Sequence, residues 1–212
     1  MTRVFFRIFA KYKQHQIYKP IKSTVMDNNN PTKIVTGLVR FSYCDVFQPR
    51  AVNEGDEPKY SICVLINKND KETVEKIKAA VNAAIGSNTS TLAGKNGQVN
   101  RATLKLPLRD GDTDRPDDPA FEGMYFLNAT TKRKPAVVDI DRNPILDPGE
   151  FYSGCYGRIS LNFYAYNFQG TKGIAVGLNA IQKIKDGEPL GGFVDVEAAF
   201  GGDNEWRDDN LL

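Results

Sequence analysis

Histidine is almost absent from this chain. The single histidine, His15, lies near the N-terminus, and there is none from Val25 onward. Imidazole is the usual general base beside a serine or cysteine nucleophile and the commonest metal ligand in proteins. Its absence excludes Ser-His-Asp and Cys-His nucleophile systems, and metal sites that depend on imidazole, from the main part of the chain. We therefore expect no metal, no cofactor and no catalytic residue.

Cysteine and long apolar runs are also scarce. The three cysteines, Cys44, Cys63 and Cys155, form no C-x-x-C pair. An odd number without a regular framework argues against a disulfide scaffold and fits a reducing cytosol. No apolar run approaches the ~20 residues that a bilayer-spanning helix requires, so we expect no membrane segment.

Charge is nearly balanced overall but unevenly distributed. The 212 residues include 28 basic and 26 acidic side chains. Residues 1–25 carry six of the basic side chains and no acidic one: Arg3, Arg7, Lys11, Lys13, Lys19 and Lys22. This segment is either a basic arm for nucleic acid or, as the polar, turn-rich sequence after Met26 favours, a disordered extension or mis-assigned start. We expect three parts: this extension (1–25), one domain (26–200) and a flexible acidic tail (201–212).

Alternating and apolar runs predict a mainly β domain. Strands are expected at 33–43, 59–67, 124–129, 136–140, 158–166 and 174–178, the fourth pairing back on the third and the last two forming a hairpin. One amphipathic helix is expected near 70–86, capped by Asn69 and Asp70 and ended by Gly86. Five or six strands with one inserted helix and no strand–helix alternation favour a small barrel.

The run at 157–166 is the most informative strand for function. Its alternation places Ile159, Leu161 and Phe163 on a core face. The opposite face carries one cation, two small polar groups and two phenols: Arg158, Ser160, Asn162, Tyr164 and Tyr166. Flat rings beside a cation on an open sheet suit unpaired bases and their phosphates. Tyrosines that merely cover a neighbouring loop are the alternative.

Other cations and phenols could complete such a surface. A basic turn at 131–134 is either a solvated tip or a clamp on backbone phosphates. The phosphate-contacting candidates are Lys59, Lys132, Arg133, Lys134 and Arg158, and the stacking candidates are Tyr43, Tyr60, Tyr156, Tyr164 and Tyr166.

Acidic loops support an enzymatic alternative. Carboxylates that converge from different strands could hold Mg²⁺ in a nuclease-like site, and the candidates are Asp110, Asp112, Asp139, Asp141 and Glu150. Loop acids are more often solubilising, and a protein-interaction module that binds no nucleic acid is a further alternative.

The C-terminal tail is acidic with apolar points. After Gly201 and Gly202 it carries Asp203, Glu205, Trp206, Asp208, Asp209, Leu211 and Leu212. Such a tail can occupy a cationic groove as a polyanion mimic, or offer itself to a partner protein. A frayed acidic terminus is the simpler alternative.

Several stretches together resemble a family of bacteriophage single-stranded DNA-binding proteins. They are GLVRFSY (37–43), VFQP (46–49), PKYS (58–61), LPLRDGD (106–112), YSGCYGR (152–158), NFYAY (162–166), GIAVGL (173–178) and DGEPL (186–190). The resemblance covers about 33–200 and implies an OB-type barrel that coats single-stranded DNA in replication or recombination, without chemistry or strong sequence preference. It further implies the bacterial host cytoplasm, and phage or host replication proteins as partners of the tail. A homo-oligomer is compatible with it, and residues 1–25 have no counterpart in it.

Overall fold

The computed structural model describes residues 30–51 and 53–191. The predicted basic extension and acidic tail lie outside these residues. The strands are β1 (Lys33–Val35), β2 (Val39–Arg50), β3 (Lys59–Asn67), β4 (Arg109–Asp110), β5 (Met124–Thr131), β6 (Ala136–Val138), β7 (Tyr156–Phe168) and β8 (Thr171–Lys185). The helices are α1 (Lys71–Ser87), α2 (Thr89–Leu92) and α3 (Gly111–Asp114). None of these helices is long and apolar enough to cross a membrane.

Five strands close into a barrel in the order β2, β3, β5, β8, β7. The contacts β2–β3, β3–β5 and β7–β8 are antiparallel, and β5 meets β8 in parallel at Thr130 and Gly177. Pairing of Val39 with Gly157 joins β7 back to β2 and closes the ring. A closed five-stranded barrel of this kind is the OB arrangement, so the predicted OB-like fold is confirmed.

Alternation along the barrel strands fills the interior. Inward side chains from every barrel strand are almost fully buried, among them Phe41, Val64, Leu127, Leu161 and Val176. Outward side chains of the same strands alternate with them because successive residues point to opposite faces of a sheet.

Helix α1 packs its predicted apolar stripe on this core. Val74, Ile77 and Ala84 are buried, as the 3.6-residue period requires. The side chain of Asp70 accepts from the Thr73 N–H at 3.1 Å and caps the helix, as predicted. The helix does not end at Gly86 but at Ser87, since a glycine costs a helix only ~1 kcal/mol.

The first predicted strand is wrong as a single element. Residues 36–38 divide it into β1, which pairs with β7, and β2, which pairs with β3. Thr36 is fully buried and its hydroxyl accepts from the Ile159 N–H, while the Gly37 N–H donates to the Thr73 hydroxyl at 3.0 Å. These bonds attach the chain to β7 and α1 and redirect it.

The predicted pairing of the fourth strand with the third is also wrong. β6 is only three residues long and lies parallel to β8, with Ala136 opposite Ala180. The end of β5 has no free edge, because Thr130 pairs with Ser61 on one side and Gly177 on the other. The chain therefore passes over the end of β5 and pairs with the next available edge.

A second, smaller core covers the outer face of β3 and β5. Cys63, Leu65, Phe121 and Phe126 form it, with the two phenyl rings packed edge to face at 5.0 Å. Phe121 belongs to the acidic segment 109–123, which is folded back over the barrel. This cover hides one outer face and leaves the outer face of β7 open.

Candidate nucleic-acid interface

The outer face of β7 follows the predicted alternation. Ile159, Leu161 and Phe163 are buried in the core. On the other face, Tyr164 is 44 % exposed and Tyr166 is half-buried. The predicted direction of both faces is thus confirmed, and Tyr164 presents a large exposed surface on the outer face.

The row of rings is longer than predicted. β7 continues to Phe168, which shares the face of Tyr164 and Tyr166 and is 68 % exposed. We call Tyr164, Tyr166 and Phe168 the aromatic row; neighbours within it are about 7 Å apart along the strand. Sequence reasoning missed Phe168 because the strand was ended at 166, although the two-residue period already pointed to it.

Small residues of β8 lie opposite each ring. Ala175, Gly173 and Thr171 are the cross-strand partners of Tyr164, Tyr166 and Phe168, respectively. Cross-strand partners project from the same face of a sheet, so none of these three places a large side chain against a ring. The space over Gly173 is filled by the Lys105 backbone, whose carbonyl oxygen would lie 2.3 Å from a Cβ built there. The exposed rings of Tyr164 and Phe168 are therefore the ones that a flat ligand can approach past a small cross-strand partner.

Two cations flank this face, Arg158 near the start of β7 and Lys33 beside its middle. Arg158 is partly held by its Nε, which donates to the Thr36 carbonyl at 3.3 Å. Lys33 of β1 pairs with Asn162, so its exposed side chain projects from the same face. Sequence reasoning missed Lys33, because only the pairing of β1 with β7 brings it there.

A further cation, Lys105, lies beside the aromatic row. Its backbone runs along β8, with the Ile174 N–H donating to the Lys105 carbonyl at 3.0 Å. A Cβ built on Gly173 would lie 3.0 Å from both Lys105 Cβ and Tyr166 Cε1, so these two side chains border the same glycine. Lys105 is exposed and, within the described residues, neither it nor Lys33 forms an ion pair.

The predicted basic turn is exposed at the other side of β8. The turn connects β5 to β6, and both of these strands pair with the middle of β8. Because β8 separates them from β7, the turn lies about two strand spacings, or about 10 Å, from β7. Lys132 forms an exposed ion pair with Glu57, a contact of small energetic weight. Arg133 and Lys134 are exposed and form no ion pair within the described part of the chain.

Tyr156 lies at the start of the same face but between two cations. The Arg40 guanidinium lies 5.5 Å and the Lys185 ammonium 4.7 Å from the centre of its ring. Arg40 also donates to the carbonyls of Gly154 and Glu188. The start of β7 is therefore positively charged, and the Tyr156 ring already contacts both cations.

The remaining three predicted residues lie away from the aromatic row. Tyr43 of β2 is 55 % exposed and has a positive φ of 47°. Tyr60 shares the core side of β3 with Ile62 and is half-buried, whereas Lys59 is exposed at the beginning of that strand. The predicted DNA-binding residues therefore do not all lie on one surface.

Three of the five acidic residues proposed for a nuclease, Asp110, Asp112 and Asp139, are engaged in structural contacts. Lys68 Nζ binds Asp110 at 2.5 Å and Asp112 at 2.7 Å, and this lysine lowers the pKa of the Asp112 carboxyl. Asn143 donates to Asp139 and lowers the pKa of that carboxyl. Across 30–51 and 53–191, no three or more His, Cys, Asp or Glu side chains are grouped as metal ligands.

Comparison with known proteins decides the family. A family described as "Enterobacter phage Enc34, ssDNA-binding protein" matches residues 32–212. The chain belongs to this family. Among curated proteins, "Putative protein p50" of Acyrthosiphon pisum secondary endosymbiont phage 1 is 32% identical over 171 residues, which is 78% of this chain and 91% of that protein.

Solved structures agree with the Enc34 family. The single-stranded DNA-binding protein from bacteriophage Enc34, in complex with ssDNA, is 29% identical with a TM-score of 0.65, over 76% of this chain and 90% of that one. Gp2.5 of bacteriophage T7, a single-stranded DNA-binding protein, superposes with a TM-score of 0.53 over 77% of this chain and 97% of its own. At 14% identity the latter shows a common fold alone.

Proposed function

We propose that this protein binds single-stranded DNA on the outer face of β7 and performs no chemistry on it. The observation that carries this proposal is the aromatic row, with exposed rings on Tyr164 and Phe168 and with Lys105 beside it. Exposed rings on an open sheet are costly to hydrate and are well suited to stacking on bases.

The rings and the cations have separate tasks. Each ring stacks on one base and contributes about 1–3 kcal/mol, independently of which base it is, because every base has a π-face. Lys33, Lys105 and Arg158 contact phosphates, and the basic turn adds charge on the far side of β8. Binding that combines stacking with phosphate contacts is tight, salt-dependent and tolerant of sequence.

The relatives support the same function. The Enc34 protein whose fold this chain shares was captured with ssDNA, and the family is described as ssDNA-binding. We infer that the protein coats single strands during phage replication or recombination, inside the bacterial host cell. The other predicted contacts, from Tyr43, Lys59, Tyr60 and Tyr156, extend the surface at its margins.

The proposal extends to the two terminal segments. The acidic tail competes for the cationic face when DNA is absent and binds replication proteins when DNA displaces it. The extension at 1–25 contributes little to binding. Deleting residues 201–212 should accordingly tighten binding at low salt, and an unchanged affinity would count against the competition.

Titration of fluorescent single strands tests the proposed function. We expect anisotropy to show tight binding of oligo-dT, much weaker binding of duplex, and affinity that falls as salt rises. Incubation with labelled strands and Mg²⁺ or Mn²⁺ should leave their length intact. Absence of any binding, or affinity that ignores salt, would refute the proposal, and strand shortening would favour the nuclease.

A further inference from the structure

A cavity of about 530 Å³ lies on the outer face of β2. Its walls come from β2, from the segment 118–120 of the acidic cover, and from the chain around 153 and 188–191. The residues that matter for its chemistry are Arg40, Ser42, Tyr43, Asp118, Ser153 and Leu190. Its volume lies in the range of about 300–1,000 Å³ that is usual for small-ligand pockets.

Tyr43 holds an unusual conformation at the edge of this cavity. Its φ of 47° is left-handed, which is rare for a bulky residue. The pairing of β2 with β3 is irregular between Ser42 and Asp45, so the strand twists here and turns the tyrosine outward. Strained residues of this kind concentrate at binding sites, and this one presents an exposed ring.

The cavity lies at the opposite end of β7 from the aromatic row. Arg40, which lines it, pairs with Tyr156, the first residue of β7. β7 has 13 residues, which span about 40 Å to Phe168. A polynucleotide that follows β7 from the aromatic row therefore arrives at the cavity.

The charges of the cavity suit a base rather than a phosphate. Arg40 donates to two carbonyls and, within the described residues, to no carboxylate, so its positive charge stays available for the backbone beside the cavity. Asp118 and Glu188 also line the cavity, and two carboxylates repel a phosphate inside it. A neutral base can enter the cavity without being repelled by the two carboxylates, while Arg40 contacts the phosphate that remains outside.

We propose that this cavity holds one unstacked nucleobase and prefers a base that carries an amino group where thymine carries its O4 carbonyl, cytosine or adenine, over thymine. Asp118 Oδ1 accepts from the Ala120 N–H at 3.1 Å, and Oδ2 has no hydrogen-bond partner in the described part of the chain. A carboxylate accepts from the amino group of cytosine, whereas thymine presents a carbonyl oxygen at that position. Tyr43 stacks on the ring of the inserted base.

This inference rests on the proposed function and adds a modest base preference to it. A single strand has its bases already unpaired, so inserting one base costs only its unstacking from its neighbours. The preference arises at one position, while the aromatic row binds every base.

Competition between oligo-dC and oligo-dT of equal length tests the pocket, since both rings are pyrimidines. We expect anisotropy to show about fivefold to tenfold tighter binding of oligo-dC. Asp118→Asn should bring the two affinities to within twofold, because its carboxamide can also donate to thymine. Asp117→Asn is the matched control: it makes the same charge change at an exposed residue outside the cavity, and should keep the preference.

The ratio of the two affinities is insensitive to partial unfolding of a variant, because an unfolded fraction affects both titrations equally. Equal binding of the two oligonucleotides by the unsubstituted protein, or a preference that Asp118→Asn leaves unchanged, would overturn the pocket. In either case tight, salt-dependent binding of both strands would leave the proposed function intact. Failure to bind any single strand would instead refute that function.

Discussion

Removing the two exposed rings of the aromatic row should weaken DNA binding strongly without unfolding the protein. Tyr164 and Phe168 are 44 % and 68 % exposed, so much of each ring is already in water and its truncation removes little core packing. The cost to the strand itself is about 1 kcal/mol or less per site. We therefore expect Tyr164→Ala/Phe168→Ala to fold, with a slightly lower Tm.

The loss of affinity follows from the stacking energy. Two lost stacking contacts at about 1–3 kcal/mol each amount to about 2–6 kcal/mol. The lower bound corresponds to an increase in Kd of about 30-fold. Anisotropy titration of oligo-dT at fixed ionic strength measures this change directly, and circular dichroism checks the fold of the same sample.

Two control variants separate stacking from other effects. Tyr164→Phe keeps the ring and removes only the hydroxyl, so its affinity should match that of the unsubstituted protein. Leu146→Ala truncates a side chain that is 83 % exposed but lies in the loop after β6, and it should also leave the affinity unchanged. A doubly substituted, natively folded protein that binds oligo-dT within twofold of the original would refute the assignment of this face.

Three further outcomes are expected. Lys105→Gln should reduce the slope of log K against log salt by about 0.7, the value for one phosphate contact on a single strand, and an unchanged slope would remove Lys105 from the interface. Because Lys68 lowers the pKa of the Asp112 carboxyl, the pair stabilises the fold at pH values above the ordinary carboxyl pKa and loses this contribution as the pH falls through the lowered value. Lys68→Met should therefore reduce the urea midpoint at neutral pH and flatten its decline in acid; parallel pH profiles would contradict the argument. Gly157→Ala should lower the Tm, since its Cβ would lie 2.1 Å from a backbone carbonyl oxygen, whereas Gly86→Ala, with open space around it, should stabilise α1 by about 1 kcal/mol; a Gly157→Ala protein with an unchanged Tm would show that the backbone can yield there.

Sequence patterns predicted well the strands with a long apolar or alternating run. β3 was predicted with its observed bounds because it is a continuous apolar run between polar residues, and it is buried on both faces. β7 was predicted with its two faces correctly directed because a strict two-residue period leaves only one way to bury the apolar side chains. The buried stripe of α1 was predicted for the same reason, because its apolar residues recur with the 3.6-residue period of a helix. Where a strand is short, as in β1 and β6, the period is too brief to predict either its bounds or its partner.

Long-range pairing decided the parts that were wrong or missing. Nothing local in the sequence indicates that Lys33 lies beside Asn162, or that Lys105 borders Tyr166, because each contact joins segments far apart in the chain. The cavity beside Tyr43 could not be predicted either, because its walls come from four separate segments of the chain. The contacts of Arg40 and Lys185 with the Tyr156 ring also join distant segments.

By itself the sequence determined the β character of this protein, the inward and outward sides of β7, and the presence of aromatic rings and a cation on the outer face of that strand. Those properties depend on periodicity and on residue type, which are local. Only the tertiary structure decided which cations join the rings, which acids are neutralised by a lysine and where a cavity opens. Those properties depend on how barrel closure brings distant segments together, and closure is a global consequence of burying the core.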